Sequence, residues 1–147
     1  ENIETLIEIL KNVVNAGTAS RLRYKYKLNP EIAGKTGTTQ NHADGWFIGF
    51  TPDLVAGAWV GASYPQVHLR GLKYGEGAST ALPIWANFFN HIYSDKSFTH
   101  LKNSSFNIPD TIQDKILNSK DYIEEPVFKE LKSKASPNIA QRIVKQP

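Results

Sequence analysis

The sequence predicts an α+β fold, an antiparallel meander of about three strands with helices packed on it. Residues 47–50 and 55–60 are apolar runs rich in β-branched and aromatic side chains, which is typical of buried strands. Polar turn residues separate these runs from each other and from a third extended segment at residues 35–39. Helical patterns at residues 2–16 and 79–93 lie on either side of the three strands.

The first helix is predicted over residues 2–16, where apolar residues recur at three- and four-residue spacing and form one stripe. Asn2 can cap its start, and Gly17 can take the left-handed conformation that ends a helix. We expect the stripe to pack against the sheet, and we assign it no chemistry.

Residues 21–28 alternate basic and apolar side chains, which predicts a strand or extended segment with one cationic face. Basic residues interleaved with aromatics could bind single-stranded nucleic acid. A charge-guarded sheet edge explains the same pattern, and no nucleic-acid recognition motif accompanies it. The net charge of +3 is only mildly basic, so we expect no nucleic-acid partner.

The rest of the chain predicts a loop at residues 65–77, a second helix with an aromatic core stripe at 79–93, and a polar tail. The tail, residues 98–147, is expected to be extended or partly disordered, with short helices possible at 126–134 and 136–144. The four histidines stand apart from other ligand-type residues, so neither a metal site nor a cofactor is predicted.

Composition excludes several classes of function. The chain has no cysteine, which rules out a disulfide, a thiolate metal site and a catalytic thiol. No apolar run reaches the length of about 18 residues that a membrane span requires. Because the chain opens at Glu1 and contains no methionine, we expect it to be a piece of a longer protein.

The candidate site is the segment Lys35-Thr36-Gly37-Thr38-Thr39, which places a cation, hydroxyls and a glycine on one strand. Alternation puts Lys35, Gly37 and Thr39 on one face, and Thr36 and Thr38 on the other. At a sheet edge, such a strand could pair with an extended peptide whose carboxylate meets the hydroxyls and the ammonium. A threonine-rich strand with one solvated lysine is the alternative.

The surroundings of this segment resemble the penicillin-binding proteins, specifically the transpeptidase domain of the bifunctional class A group. Lys-Thr-Gly belongs to the motif set of these enzymes. The resemblance covers roughly residues 5–95 and implies that residues 1–97 are the C-terminal half of such a domain, with a partial β-lactamase/transpeptidase-like fold. The motifs that carry it are Gly17-Thr18-Ala19, the runs at 33–39 and 44–52, Val60-Gly61, Gly75-x-Gly77 and Ala81-x-Pro83-Ile84-Trp85.

The resemblance implies a serine D,D-transpeptidase that cross-links peptidoglycan stem peptides ending in D-Ala–D-Ala and is acylated by β-lactams. Lys35 would supply positive potential for the substrate carboxylate, and Thr36 and Thr38 would offer it hydroxyls. The Thr38 N–H would form half of an oxyanion hole, Gly37 would let the substrate lie flat as an added strand, and Thr39 completes the substrate-binding segment. The parent would be membrane-anchored in the bacterial envelope, with this part on the periplasmic side.

The family's nucleophile is missing, because no serine of the chain has a lysine three residues on. Ser-x-Asn occurs at Ser105 and Ser136, but after Lys-Thr-Gly rather than before it, so we treat both as chance matches. This chain alone is therefore predicted to be inactive. The alternative is a non-catalytic peptide-binding or scaffold module that retains the half-domain. Either way, we expect the bare edge at residues 54–62 to drive self-association.

Overall fold

The structure is a computed structural model that describes residues 2–64 and 66–112. The chain divides into two compact units, Glu1–Ile108 and Pro109–Pro147. The candidate segment and the sheet that carries it lie in the first unit. The short helices predicted at 126–134 and 136–144 lie outside the described residues. The predicted boundary after residue 97 stays a prediction.

The first unit is an α+β fold in which a three-stranded antiparallel sheet is packed by helices, so the predicted fold class is confirmed. The sheet order follows the chain, β1-β2-β3. The elements are α1 (Asn2–Asn15), α2 (Arg21–Tyr24), β1 (Ala33–Thr38), β2 (Asp44–Phe50), β3 (Val55–Gly61), α3 (Leu72–Gly75) and α4 (Ala81–Ser94), with 3-10 helices at Gln40–His42 and Lys96–Lys102.

One face of the sheet packs on α4 and forms the core; we call it the helix-packed face. Phe47 of β2 is fully buried against Trp85, with ring centroids 5.3 Å apart in an edge-to-face arrangement. Trp85 stacks on Phe89 at 3.8 Å and donates its indole N–H to the Ala56 carbonyl on β3 at 3.0 Å. Buried aromatic rings with a satisfied polar group are favourable core material, so α4 and the sheet are fixed to each other.

The opposite face, which we call the open face, carries large side chains that remain half-exposed. Trp46, Ile48 and Trp59 expose 43%, 50% and 45% of their surface. Register places Trp46 directly opposite Trp59, and their ring centroids lie 6.2 Å apart. One end of the sheet is covered by Phe106, which packs edge-to-face on Phe50 at 5.7 Å.

The prediction that Gly17 ends α1 in a left-handed conformation is wrong, because its backbone φ is not positive. The N–H groups of Ala16 and Gly17 both donate to the Asn12 carbonyl, at 2.9 and 3.1 Å. A Cβ on Gly17 would lie 2.8 Å from the Cα of Val13. The glycine is therefore required by close backbone approach rather than by its φ angle.

The prediction of a strand at residues 21–28 is also wrong, since residues 21–24 form the helical turn α2. Leu22 and Leu28 are buried, but they reach the core from a helix and the turn after it. Arg23 donates to the carbonyls of Leu28 and Pro30 and to the side chain of Asn15. These hydrogen bonds fold the segment back on itself, and tertiary contacts thereby override its two-residue alternation.

Candidate functional site

The outer edge of β1 presents backbone groups of the candidate segment that no other strand pairs with in the described residues. The Thr39 N–H donates to the Asp44 carbonyl at 3.2 Å, which continues the β1–β2 ladder one residue beyond Thr38. Along an antiparallel strand, residues whose N–H and C=O groups bond to the neighbouring strand alternate with residues whose groups point away from it. The odd-numbered residues of β1 therefore bond to β2, and the N–H and C=O groups of Thr36 and Thr38 point outward. Within the described residues, no strand lies beyond this edge.

Lys35 brings a positive charge to the same edge. Its side chain is exposed and lies on the open face, opposite Ile48 in the register. Its Nζ donates to the Thr36 carbonyl at 2.7 Å, so the ammonium sits over an outward-pointing backbone group. An anion that approaches this edge would meet the ammonium at short range.

The three threonine hydroxyls of the segment have different partners. The Thr38 Oγ1 accepts the N–H of Gly77 at 3.0 Å. The Thr36 Oγ1 lies 2.8 Å from the Oγ1 of Thr18, in the turn after α1. The Thr39 Oγ1 instead accepts the N–H of Asp44 at 3.0 Å and therefore closes the turn into β2.

The loop before α4 packs directly against β1 and β2 through glycine. A Cβ on Gly77 would lie 2.3 Å from the Trp46 carbonyl oxygen and 2.4 Å from that of Gly37. A Cβ on Gly45 would lie 2.2 Å from the Oγ1 of Thr80. Only residues without a side chain allow this approach, which is what brings the Gly77 N–H within reach of Thr38.

Arg21 ties this loop to the segment that carries Thr18. Its Nη1 donates to the Ala78 carbonyl at 3.0 Å and to Ser79 Oγ at 2.8 Å, and its Nη2 to Glu76 Oε1 at 3.1 Å. Ser79 Oγ also donates to Glu76 Oε1 at 3.1 Å. The guanidinium thus fixes the two supports of β1, residues 17–21 and 76–80, relative to each other.

The turn that follows the candidate segment is strained. Asn41 and His42 have backbone φ angles of 58° and 56°, in the left-handed region that non-glycine residues seldom occupy. His42 Nδ1 and Asp44 Oδ1 are buried and find no hydrogen-bond partner among the described residues. The His42 carbonyl accepts the N–H of Leu69 at 3.1 Å, which joins the turn to the loop before α3.

Glu31 anchors the chain just before β1. Its carboxylate accepts hydrogen bonds from Lys11 Nζ at 3.1 Å, from the Phe106 N–H at 2.9 Å and from Ser105 Oγ at 3.3 Å. Burial acts to raise the pKa of this carboxyl, but the Phe106 N–H, the Lys11 ammonium and the Ser105 hydroxyl outweigh it and hold the pKa below its ordinary value.

The outer edge of β3 is apolar by contrast. The Thr51 N–H donates to the Leu54 carbonyl at 2.8 Å, so the backbone groups of Val55, Gly57 and Trp59 point away from β2. The Val55 side chain is 74% exposed. Beside this edge lies a cavity of about 230 Å³, lined by Ala56, Gly57, Ala58, Ile84, Trp85 and Phe88.

Sequence reasoning misses the roles of Thr18, Arg21 and Gly77. It singles out Gly17-Thr18-Ala19 and Gly75-x-Gly77 as motifs but gives them no contact, because a motif does not state which distant residue it meets. For Arg21 it predicts only a solvated cationic face.

In the part of the chain that the structure describes, no cluster of three His, Asp or Glu side chains could hold a metal, and no helix has the length and apolar character to cross a bilayer.

Comparison with known proteins identifies relatives over most of the first unit. The family description "Penicillin binding protein transpeptidase domain" matches residues 1–92. Penicillin-binding protein 1A of Rickettsia typhi is 37% identical over 108 residues, which is 74% of this chain and 12% of that protein. Penicillin-binding protein 1A of Aquifex aeolicus is 39% identical over 95 residues, or 63% of this chain and 12% of that protein. For penicillin-binding protein 1A of Neisseria gonorrhoeae the identity is 33% over 101 residues, or 69% and 12%. The chain thus spans only about 12% of the length of the curated relatives it matches.

Proposed function

The chain belongs to the penicillin-binding protein transpeptidase family, and from this membership we propose that it supplies the Lys-Thr-Gly wall of a serine D,D-transpeptidase site. Its ligand is the D-Ala–D-Ala end of a peptidoglycan stem peptide. One observation carries the proposal above the others. The open edge of β1 combines outward backbone groups at Thr36 and Thr38 with a lysine ammonium and two hydroxyls held by hydrogen bonds from outside the strand.

The substrate lies along β1 as an added strand and exchanges hydrogen bonds with the outward groups of Thr36 and Thr38. Gly37 between them allows the flat approach. The substrate carboxylate meets Lys35 and the two hydroxyls, since charge-assisted hydrogen bonds are the stronger ones. The Thr38 N–H supplies half of the oxyanion hole, whose single donors are worth on the order of 10²–10³ in rate.

The nucleophilic serine is supplied from outside this chain. No serine here stands three residues before a lysine, and Ser79 Oγ, beside the loop, is bound to Arg21 and Glu76. The parent protein is membrane-anchored in the bacterial envelope, places this part on its periplasmic side, carries a glycosyltransferase activity as well, and is acylated by β-lactams on that serine. The 147 residues alone do not turn over substrate.

A second candidate is a non-catalytic peptide-binding or scaffold module. The observation that favours it is that the Thr38 hydroxyl at the edge of β1 is held in place by the Gly77 N–H in a sequence that contains no Ser-x-x-Lys. Such a module would bind the same carboxylate-ended peptide at β1 without cleaving it.

We also propose that the chain self-associates through β3. Its outward backbone groups, the exposed Val55 and the cavity against Ile84 and Phe88 form an apolar edge of the kind that pairs with other chains. A strictly monomeric elution at high micromolar concentration would contradict this.

Intact-mass analysis after incubation with a penicillin separates the two candidate functions. It is made on this chain and on a version extended upstream in its parent by about 250 residues, a typical large-domain length. A single β-lactam adduct on the longer chain alone is the expected result. If neither chain gains an adduct, the proposal of an enzyme fails and the proposal of a non-catalytic module takes its place. In the extended version, Lys35→Ala is expected to slow acylation, whereas Lys73→Ala, at an exposed lysine of α3, leaves it unchanged.

A further inference from the structure

We propose that Thr18 is a positioning residue for carboxylate recognition: its hydroxyl donates to the Thr36 hydroxyl, so that the Thr36 proton points to the ligand anion. The inference rests on the proposed function, because it assumes that Thr36 binds the carboxylate. What it adds is a residue outside the strand that determines how the strand presents its donors.

The contact between the two hydroxyls is short, and the Thr18 hydroxyl does not need it to replace a hydrogen bond to water lost on burial. The Oγ1 atoms lie 2.8 Å apart, a typical O–H···O distance. Thr18 is exposed, so water could satisfy its hydroxyl equally well. The protein nevertheless brings Thr18 across 18 residues of sequence to meet Thr36 at the open edge of β1.

The number of protons decides what the contact does. A threonine hydroxyl has one proton to donate and two lone pairs to accept with. Thr38 already accepts from the Gly77 N–H, which leaves its proton available for an anion. Thr36 is placed in the same condition only if Thr18 is the donor of their shared hydrogen bond.

A bound carboxylate favours that direction, because it accepts hydrogen bonds and donates none when ionised. In a chain of hydrogen bonds from the Thr18 O–H through the Thr36 O–H to the carboxylate, both bonds are polarised in the same sense. Hydrogen bonds arranged in this way strengthen each other. The reverse direction would point the Thr36 proton away from the ligand.

The surroundings hold Thr18 in position. Ala19 is fully buried, and its N–H donates to the Val13 carbonyl at 3.1 Å. Two residues further on, Arg21 ties the segment to the loop that carries Gly77. The donors to Thr36 and to Thr38 therefore belong to one braced unit.

The test is a titration of the 147-residue chain, followed by the backbone amide NMR signals of residues 35–39. The probes are N-acetyl-D-alanyl-D-alanine and, as the neutral control, its C-terminal amide. The variants are Thr18→Val, which removes the hydroxyl while keeping the shape, and Thr18→Ser, which restores it. We expect Thr18→Val to weaken binding of the carboxylate probe about threefold or more, because the shared hydrogen bond, present already without ligand, is strengthened when Thr36 donates to the bound charge. Binding of the amide should not change, and Thr18→Ser should return the carboxylate affinity to within about twofold of the original.

The outcomes are distinguishable. If the unaltered chain does not bind the carboxylate probe more tightly than the amide, the proposed function fails and this inference with it. If the unaltered chain shows that preference but Thr18→Val keeps or strengthens it, only the role of Thr18 is overturned. If Thr18→Val weakens both probes equally, Thr18 acts on the structure of the edge and not on carboxylate recognition, which also overturns the proposal.

Discussion

Within the described residues, neither outer edge of the sheet has a neighbouring strand, but the two edges differ in what surrounds them. At β1, two separate segments contact the strand, the turn with Thr18 and the loop with Gly77, and the side chain of Arg21 joins the two. At β3, the neighbours are an exposed valine and an apolar cavity against α4. An open edge by itself therefore allows backbone pairing but does not select a ligand. We propose that donors fixed from outside the strand make the β1 edge selective for an anion-bearing ligand.

The largest effect is expected where the β1 edge is supported from behind, in Gly77→Ala. The new Cβ would meet the carbonyl oxygens of Trp46 and Gly37 at 2.3 and 2.4 Å, so the loop must move away from the strand. We expect a loss of about 3 kcal/mol in the free energy of unfolding, the upper range for overpacking, measured by urea denaturation.

The matched control is Gly57→Ala, on β3. The added Cβ there would find only Ile48 Cγ1, at an ordinary 3.6 Å. Its effect on the free energy of unfolding should be close to zero. Equal losses at the two positions would show that the β1 edge does not depend on its support.

The next effect concerns binding at β1. Thr38→Val removes a hydroxyl that accepts the Gly77 N–H and whose own proton is available to the ligand. Because hydrogen bonds to charged groups contribute about 1.5–3 kcal/mol, the affinity for N-acetyl-D-alanyl-D-alanine should fall at least tenfold. NMR titration measures this, with Thr38→Ser expected to retain the affinity. A valine variant that binds like the original chain would remove Thr38 from the site.

A smaller effect is expected at β3. Val55→Lys puts a charge on the edge that we propose pairs with a second copy of the chain. Natural proteins use charged side chains, lysine especially, to block such edge pairing. The dissociation constant for self-association should rise about fivefold or more, as measured by sedimentation. Ile3→Lys is the control, because Ile3 is also 74% exposed but belongs to α1 rather than to the sheet. If both lysines weaken association alike, the interface is not β3.

The smallest effect is the dependence of stability on pH through Glu31. Because its pKa in the folded chain lies below the ordinary value of 4.5, the ionised carboxylate stabilises the fold above that value. The stabilisation is lost as the pH falls below 4.5 and through the folded-state pKa. Lys11, Arg23 and Glu8 are the charged groups around it.

For a carboxylate about one-third exposed, the loss is a few tenths of a kcal/mol. Thermal unfolding should be measured between about pH 6 and pH 3, the range in which glutamate side chains titrate. Stability should fall more steeply over this range in the original chain than in Glu31→Gln. Parallel pH profiles would contradict the assignment.

The sequence predicts the strands well because their evidence is local. Alternation, turn residues and β-branched runs place each end of β1, β2 and β3 within three residues of the observed end. The candidate segment falls on the edge strand, as the pairing hypothesis requires.

The contacts that complete the site could not be read in this way, since they join residues far apart in the chain. Arg21 lies 55 residues from Glu76, and Thr38 lies 39 residues from Gly77. The same cause explains the error at residues 21–28. Their strict alternation is a valid strand signal locally, and the contacts of Arg21 with residues 76–79 and the burial of Leu22 and Leu28 decide that the segment becomes a helical turn.

The half-exposed tryptophans of the open face give the molecule an optical property. Two indole rings 6.2 Å apart and inclined by 52° are close enough for their excited states to couple. Coupled indoles give a paired positive and negative band in circular dichroism whose size depends on the angle between the rings. Trp85, buried and stacked on Phe89, lies outside this pair. Anything that covers the open face and tilts Trp46 against Trp59 would change that couplet, so the protein reports the arrival of a partner there without a label.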